Sequence, residues 1–127
     1  MIGIVLVSHS KKITDGIKEM IEEMTGVSDK VSIASCGGTD DGRMGTNAIA
    51  ILEAITSYES AEHVYLFADI GSAILSAEMA MELIEDETLQ EKVELVDCPL
   101  VEGSFAAAIQ ASVGGTKEDI LREIASV

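Results

Sequence analysis

The sequence is poor in the residues that define several common protein classes. Its 127 residues include two tyrosines, two phenylalanines, no tryptophan, one proline and two cysteines. A hydrophobic core must therefore be built from aliphatic side chains and methionine. The two cysteines, Cys36 and Cys98, are far apart in the chain, which excludes a disulfide framework and indicates a reducing compartment.

Positive charge is also scarce. Eight lysines and arginines stand against 23 aspartates and glutamates, so the formal net charge is -15. A chain of this charge repels phosphate backbones and anionic membranes, and we expect neither nucleic acid nor a membrane as its partner. A basic protein would instead be steered toward it.

No long apolar run or low-complexity segment divides the chain. Residues 1–7 are apolar, but they lack a basic leader and end at Ser8 and His9, which excludes a signal peptide or membrane span. Hydrophobic residues make up 47%, enough for a packed core. We expect one cytoplasmic domain covering residues 1–127.

Apolar runs alternate with helical spacings along the chain. The runs predict strands at 1–7, 31–35, 64–68 and 93–96. Between and after them, helices are predicted whose inward side chains recur every three or four residues. The predicted inward residues are Ile13, Ile17, Met20, Ile21 and Met24, then Ile49, Leu52 and Ile55, then Leu75, Met79 and Leu83.

Several helix ends are marked by their residue types. Gly26 is expected to end the first helix. Thr46 is the predicted N-cap of the second, and Ser104 and Thr116 are the predicted N-caps of two closing helices. Asp119 follows Thr116 by three residues, the spacing of a capping box. The acidic runs 19–23 and 82–94 are interpreted as solvated helix faces.

This alternation predicts an α/β fold. We expect a single open sheet of four parallel strands in the order 2-1-3-4, with helices on both faces. Ligands bind such sheets beyond the carboxyl ends of the strands. That rule selects the segments 8–9, 36–46, 69–72 and 99–104 as one functional edge.

Two residues at that edge predict nucleophilic chemistry. His9 follows the first strand and Asp69 follows the third, and these strands are neighbours in the expected order. A carboxylate beside an imidazole fixes the tautomer and stabilises the positive charge that develops when the ring attacks an electrophile. The other histidine, His63, precedes the third strand at the opposite edge and is interpreted as a strand-end residue.

Hydrogen-bond donors are predicted around His9. Ser10, Gly71 and Ser72 supply hydroxyls and amides at two helix N-termini, and Gly45 with Thr46 offers a third. Helix N-termini attract anions, because their first amides lack partners. These donors fit a phosphoryl group better than a carbonyl or a metal.

Other chemistries find no support in the sequence. There is no Gly-x-Ser-x-Gly elbow, no Gly-x-x-x-x-Gly-Lys phosphate loop and no dinucleotide spacing of glycines. A zinc site would need more histidines or a cysteine pair at the edge, so no metal site is predicted. Cys36 and Cys98 lie at the ends of strands two and four, which are about 14 Å apart in the expected strand order. This distance is too long for a disulfide bond.

Four segments together resemble one protein family along the whole chain. They are Val7-Ser8-His9-Ser10, Gly45-Thr46, residues 69–78 (Asp-Ile-Gly-Ser-Ala-Ile-Leu-Ser-Ala-Glu) and residues 99–103 (Pro-Leu-Val-Glu-Gly). The family is that of the phosphoryl-carrier subunits of the dihydroxyacetone kinase driven by the bacterial phosphotransferase system. It is related to the mannose-type enzymes IIA, and the resemblance implies their fold.

The resemblance also implies a function. His9 would be phosphorylated at Nε2 by the carrier protein HPr, and Asp69 and Ser72 match the positions that hold this histidine. The phosphate would pass to ADP on the nucleotide-binding kinase subunit, and the ATP formed would phosphorylate dihydroxyacetone on a third subunit. The family implies a homodimer and no cofactor on the carrier itself, with Mg²⁺-ADP on the partner.

Two alternatives remain open at this point. A mannose-type enzyme IIA serving a sugar permease would use the same chemistry with another acceptor, although residues 71–78 favour the kinase subunit. A flavodoxin-like binding module would keep His9 as a structural residue only. The segment 39–44 departs from the family pattern, and no role is carried over to Arg43.

Overall fold

The structure is a computed structural model that describes residues 1–26 and 28–127. Its sheet has four parallel strands: β1 (Ile2–Ser8), β2 (Val31–Gly37), β3 (His63–Ala68) and β4 (Val93–Leu95). They lie in the order β2-β1-β3-β4. The predicted α/β class and strand order are confirmed.

Strand β1 is the centre of the sheet. All seven of its residues are buried, as a continuous apolar run predicts for a strand covered on both faces. Ile2 pairs with Val31 of β2 and with His63 of β3, so the three strands run level. Their carboxyl ends therefore meet at one edge, and the residues that follow each strand lie close together.

Six helices cover the sheet in the described part of the chain. They are α1 (Lys11–Thr25), α2 (Ala48–Ser57), α3 (Gly71–Glu82), α4 (Glu87–Glu91), α5 (Leu100–Ser112) and α6 (Lys117–Ala125). Helices α2, α3 and α4 pack on the face that carries Val5 and Val7. Helices α1, α5 and α6 pack on the face that carries Ile4 and Leu6. Alternate side chains of β1 thus enter two separate cores.

The predicted inner face of α3 is wrong. Leu75, Met79 and Leu83 are exposed by 66%, 55% and 45%, whereas the alanines at 73, 77 and 80 are buried. The helix has two stripes at helical spacing, and the larger side chains suggested the wrong one. The small alanine stripe lets the helix lie close to the sheet, and that close contact decides the orientation.

Helices α1 and α2 show the same error in part. Ile49 is 56% exposed, while Ile51 and Ile55 lie in the core. In α1, Ile17 and Ile21 are buried as predicted. Three of its predicted inward residues point outward instead: Ile13, Met20 and Met24.

Two predicted N-caps are also wrong. Asn47, rather than Thr46, caps α2 by accepting hydrogen bonds from the amides of Ile49 and Ala50. Ser104 lies inside α5, buried, and its hydroxyl donates to the carbonyl of Leu100 one turn earlier. Helix α5 begins directly after Pro99, because a proline is well suited to precede a helix but not to continue one.

The remaining helix ends agree with the sequence. Thr116 and Asp119 form a reciprocal capping box at α6, and Gly26 ends α1 with a positive φ of 75°. Within the acidic run 82–94 the structure has a short helix that was not predicted, α4, capped by Asp86.

The cysteines form no disulfide bond in the described part of the chain. Cys36 and Cys98 are both free, and burial raises the pKa of the Cys36 thiol to about 11. In the described residues, no helix combines the length and apolar character that crossing a bilayer requires.

We predict opposite effects for two glycine substitutions. A Cβ at Gly37 would lie 2.3 Å from the carbonyl oxygen of Ser10 and 2.5 Å from Oγ1 of Thr14, so Gly37→Ala should destabilise the fold by about 1–3 kcal/mol. Gly16 is a helical glycine with no atom near its Cβ position, so Gly16→Ala should stabilise it by about 0.5–1 kcal/mol. Urea unfolding of both variants measures these changes, and a Gly37 variant as stable as the wild type would contradict the close approach of β2 to α1.

Candidate active site

The ring of His9 is held from both of its nitrogens. Nδ1 lies 3.1 Å from Oδ1 of Asp69, and Nε2 lies 2.5 Å from the hydroxyl of Ser72. The ring is partly exposed, with 28% of the side chain open to solvent. Of the three residues predicted to form the chemical centre of the site, His9 therefore contacts both of the others.

The sheet topology brings these residues together. His9 and Asp69 each follow a strand, and β1 and β3 are paired up to Val7 and Ala68. The amide of Asp69 donates to the carbonyl of Val7 at 3.1 Å, which continues the ladder one residue beyond the strand. Ser72 enters from the first turn of α3, which begins two residues after Asp69.

Asp69 accepts four hydrogen bonds. They come from the amide of Ile70, the hydroxyl of Ser8, the amide of His9 and the ring of His9. Burial by itself raises the pKa of this carboxyl, but these donors outweigh burial and lower the pKa below its ordinary value. Asp69 is therefore ionised throughout the neutral pH range.

An ionised carboxylate fixes the tautomer of His9. It has only acceptor atoms, so the proton of a neutral His9 ring resides on Nδ1 and points to Asp69. Nε2 then carries the lone pair and accepts a hydrogen bond from the Ser72 hydroxyl. Nε2 is consequently the nucleophilic atom, and it faces the N-terminus of α3.

Ser8 was placed at the functional edge by the sequence, but its role was missed. It is fully buried, and its hydroxyl donates to Oδ2 of Asp69 at 2.9 Å. Oγ of Ser8 in turn accepts a hydrogen bond from the amide of Ser10 at 3.1 Å. The available signal was a single polar residue at the end of an apolar strand, next to His9. A buried hydroxyl there needs a partner, and Asp69 is that partner.

The N-terminus of α3 is open to an anion. Its N-cap, Ile70, supplies no side-chain cap, and the first amides of a helix have no partner within it. The amides of Gly71 and Ser72 therefore remain available beside Nε2 of His9. The positive end of the helix dipole lies at the same place.

The other predicted anion donors have different partners. The amide of Gly45 donates to the carbonyl of His9 at 2.9 Å, and Oγ1 of Thr46 lies 2.6 Å from Oγ of Ser76 on α3. Ser10 is buried, with its amide on Ser8. These residues hold the segment after β2 against His9 and α3. That Gly45, Thr46 and Ser10 also bind a phosphoryl group remains a prediction.

The described residues contain no group of three or more histidine, cysteine, aspartate or glutamate side chains placed to hold a metal ion. His9 and Asp69 stand together without a third such side chain. The arrangement provides a neutral nucleophilic nitrogen, a fixed negative charge behind the ring and unpaired amides in front of it. These are the requirements for attack on an anionic, electrophilic phosphorus.

Comparison with known proteins agrees with this geometry. The family EIIA-man, described as the PTS system fructose IIA component, matches residues 3–121. The chain belongs to this family.

The chain is also similar to individual members. It is 58% identical, over all 127 residues and 99% of the relative, to the "PEP-dependent dihydroxyacetone kinase 2, phosphoryl donor subunit DhaM" of Listeria innocua. It is 45% identical to the corresponding subunit of Providencia stuartii over 97% of this chain, but it spans only 26% of that longer protein. A solved structure of a protein of unknown function matches with 47% identity and a TM-score of 0.90, covering 98% of this chain and 93% of the other.

We predict that removing the charge of Asp69 slows chemistry without unfolding the protein. Asp69→Asn keeps the shape of the side chain but loses the charge that opposes the imidazolium. Phosphoryl transfer measured by quench flow should fall roughly 10- to 1,000-fold, less than in a serine protease, because no proton relay is needed.

Asp29→Asn is the matched control, since Asp29 is exposed at the opposite edge of the sheet and loses the same charge. Nitrogen-15 NMR of the wild type should show the proton of the neutral ring on Nδ1. An Asp69 variant as fast as the Asp29 variant would remove Asp69 from the mechanism.

Proposed function

We propose that this chain is the phosphohistidine carrier of a phosphoenolpyruvate-dependent dihydroxyacetone kinase. It accepts a phosphoryl group from HPr on Nε2 of His9 and passes it to ADP on the nucleotide-binding kinase subunit. One observation carries this proposal: Nε2, the free nucleophilic atom of an Asp69-bound imidazole, faces the uncapped start of α3. Full-length similarity to a protein named a phosphoryl donor subunit supports it.

The transfer is an in-line exchange of one nitrogen–phosphorus bond for another. The Nε2 lone pair attacks the phosphorus of the donor's phosphohistidine, and the electrons of the breaking bond return to the donor's ring nitrogen. The Nδ1 proton stays on His9, so the ring becomes cationic while it is forming the new bond. Asp69 stabilises that charge.

The phosphoryl oxygens meet the donors in front of Nε2. The Ser72 hydroxyl turns from the nitrogen to a phosphoryl oxygen, and the amides of Gly71 and Ser72 supply further hydrogen bonds. Gly45, Thr46 and Ser10, which the sequence predicted as further donors, support the site through their contacts with the His9 carbonyl, Ser76 and Ser8. The donors in front of Nε2 stabilise the charge on the transferring group without any movement of the main chain.

A phosphohistidine suits a carrier because its nitrogen–phosphorus bond is labile. Transfer between two histidines is therefore nearly balanced, and onward transfer to ADP is reversible. The carrier needs no cofactor of its own, and Mg²⁺ accompanies the nucleotide on the acceptor. The dihydroxyacetone-binding subunit then receives phosphate from ATP and meets the carrier only indirectly.

Three expectations accompany the proposal: a homodimer, a cytoplasmic location and a single domain. The resemblance implies the homodimer, and sedimentation equilibrium tests it. The composition implies the cytoplasmic location and the single domain. The alternative acceptor is a sugar permease. The relatives named as kinase subunits favour the kinase.

We predict that only one of the two histidines is needed. After incubation with phosphoenolpyruvate, the general enzyme of the system and HPr, mass spectrometry should find acid-labile phosphate on the wild type and on His63→Ala. His9→Ala should carry none, because His63 opens β3 at the opposite edge of the sheet. Phosphate retained by the His9 variant would overturn the assignment.

The acceptor is tested separately. Carrier labelled on His9 is mixed with the nucleotide-binding kinase subunit loaded with Mg²⁺-ADP. The expected product is labelled ATP. Label that stays on the carrier in this mixture, but moves to a sugar permease component when that is supplied instead, would show that the chain serves sugar transport.

A further inference from the structure

A cleft opens beside the active site, between the end of β4 and the start of α3. Its volume is about 350 Å³. The walls are mainly apolar, from Ala68, Ile74, Leu95 and Val96, and its polar lining is supplied by Asp69, Asp97 and Cys98. Asp69 thus lines the cleft and holds His9 at the same time, so the cleft is continuous with the site of phosphoryl transfer.

The two carboxylates of the cleft differ in their partners. Asp69 has four hydrogen bonds, which match the roughly four lone-pair positions of a carboxylate. Asp97 is exposed, and among the described residues it forms neither a side-chain hydrogen bond nor an ion pair. The lining contains no lysine or arginine to neutralise it. Among the described residues, Asp97 is therefore the carboxylate of the cleft that is available to pair with a cation.

The thiol of Cys98 responds to this local charge. Burial raises its pKa first, and the negative charges of Asp97 and Glu102 raise it further. Glu102 stands in the first turn of α5, so two carboxylates from different segments act on the same end of the cleft. Asp69, Asp97 and the nearby Glu102 make this end of the cleft negatively charged, which disfavours a phosphate or a nucleotide as the occupant.

The opposite side of His9 has the opposite charge. There, a cleft of about 330 Å³ is lined by Ser10, Lys11, Lys12, Gly42, Arg43 and Met44. Its cations are partly paired, Lys11 with Asp15 at 3.0 Å and Arg43 with Asp41 at 4.0 Å. This cleft lies beyond the carboxyl ends of β2 and β1, whereas the Asp97 cleft lies at the carboxyl ends of β3 and β4. A cationic group that approaches His9 is therefore drawn to the Asp97 side.

An apolar-walled cleft with a carboxylate at its mouth suits one kind of side chain. Lysine and arginine have an apolar stem that packs on aliphatic walls and a cationic head that pairs with a carboxylate. A protein that exchanges phosphate with Nε2 must approach the start of α3, where Ser72 contacts this nitrogen. A side chain that such a protein projects from there toward β4 lies at this cleft.

We infer that the cleft between β4 and α3 receives a lysine or arginine side chain of the protein that donates phosphate to His9. The side chain's head pairs with Asp97, and its stem packs on Ile74 and Leu95. This inference rests on the proposed function, since it requires a protein donor. The contact orients the donor on a chain whose overall charge attracts basic proteins without selecting a direction.

The test compares two charge reversals of equal size. Asp97→Lys alters the cleft, and Glu91→Lys makes the same change at the exposed end of α4, which precedes β4 at the opposite edge. Phosphorylation of both variants by phosphorylated HPr is followed by quench flow at 50 and 500 mM salt. For Asp97→Lys we expect the KM for HPr to rise on the order of tenfold at low salt, with kcat nearly unchanged.

The rise should shrink at 500 mM salt, where charges are screened beyond about 3–5 Å. Glu91→Lys should raise the KM less than about twofold, because it changes only the long-range field. A second variant, Ile74→Phe, fills the cleft without altering charge and should raise the KM at both salt concentrations. Exchanging the donor's basic side chain for aspartate should partly restore the KM with Asp97→Lys.

Phosphoramidate, a small phosphoryl donor that needs no docking, separates the two proposals. All three variants should accept phosphate from it as the wild type does. Equal KM values for Asp97→Lys and Glu91→Lys would overturn the cleft inference while leaving His9 as the carrier. Failure of the wild type to accept phosphate on His9 from either phosphoramidate or phosphorylated HPr would overturn the proposed function. Wild-type acceptance from phosphoramidate but not from HPr would show that both the assigned donor and the proposed occupant of the cleft are wrong.

Discussion

The hydrogen bonds of Asp69 are the interaction on which the rest of the site depends. This carboxylate joins the ends of β1 and β3 by binding Ser8, both the amide and the ring of His9, and the amide of Ile70. It orients the imidazole, sets its tautomer and helps to place the start of α3. Each of these effects requires the two strands to end level, which the parallel register provides.

The sheet and the position of the site could be predicted from the sequence, because they depend on local patterns. The apolar run of β1 indicated a central strand, and the rule for open parallel sheets then placed His9 near Asp69. The sequence also placed Ser72 among the donors around His9, and the resemblance to a family added its role of holding the ring. The role of Ser8 was missed because a buried serine at a strand end gives no periodic signal, and this role depends on a residue 61 positions away.

The orientation of the outer helices could not be predicted, because it depends on contact between elements. Helix α3 has leucines and methionine on one stripe and alanines on another, and hydrophobicity alone selects the larger side chains. The structure buries the alanines, since Ala73, Ala77 and Ala80 allow close packing on β1 and β3. Leu75 and Met79 then remain on the surface.

The backbone of His9 is fixed on both sides, by Asp69 at its amide and by Gly45 at its carbonyl. Adding a phosphoryl group therefore turns one hydroxyl and fills one helix N-terminus, but it leaves the chain path unchanged. We therefore expect the phosphorylated and unphosphorylated forms of the carrier to have almost the same shape. A protein that distinguishes them must detect the charge of the phosphoryl group itself, so discrimination between the forms is electrostatic and weakens as salt is added.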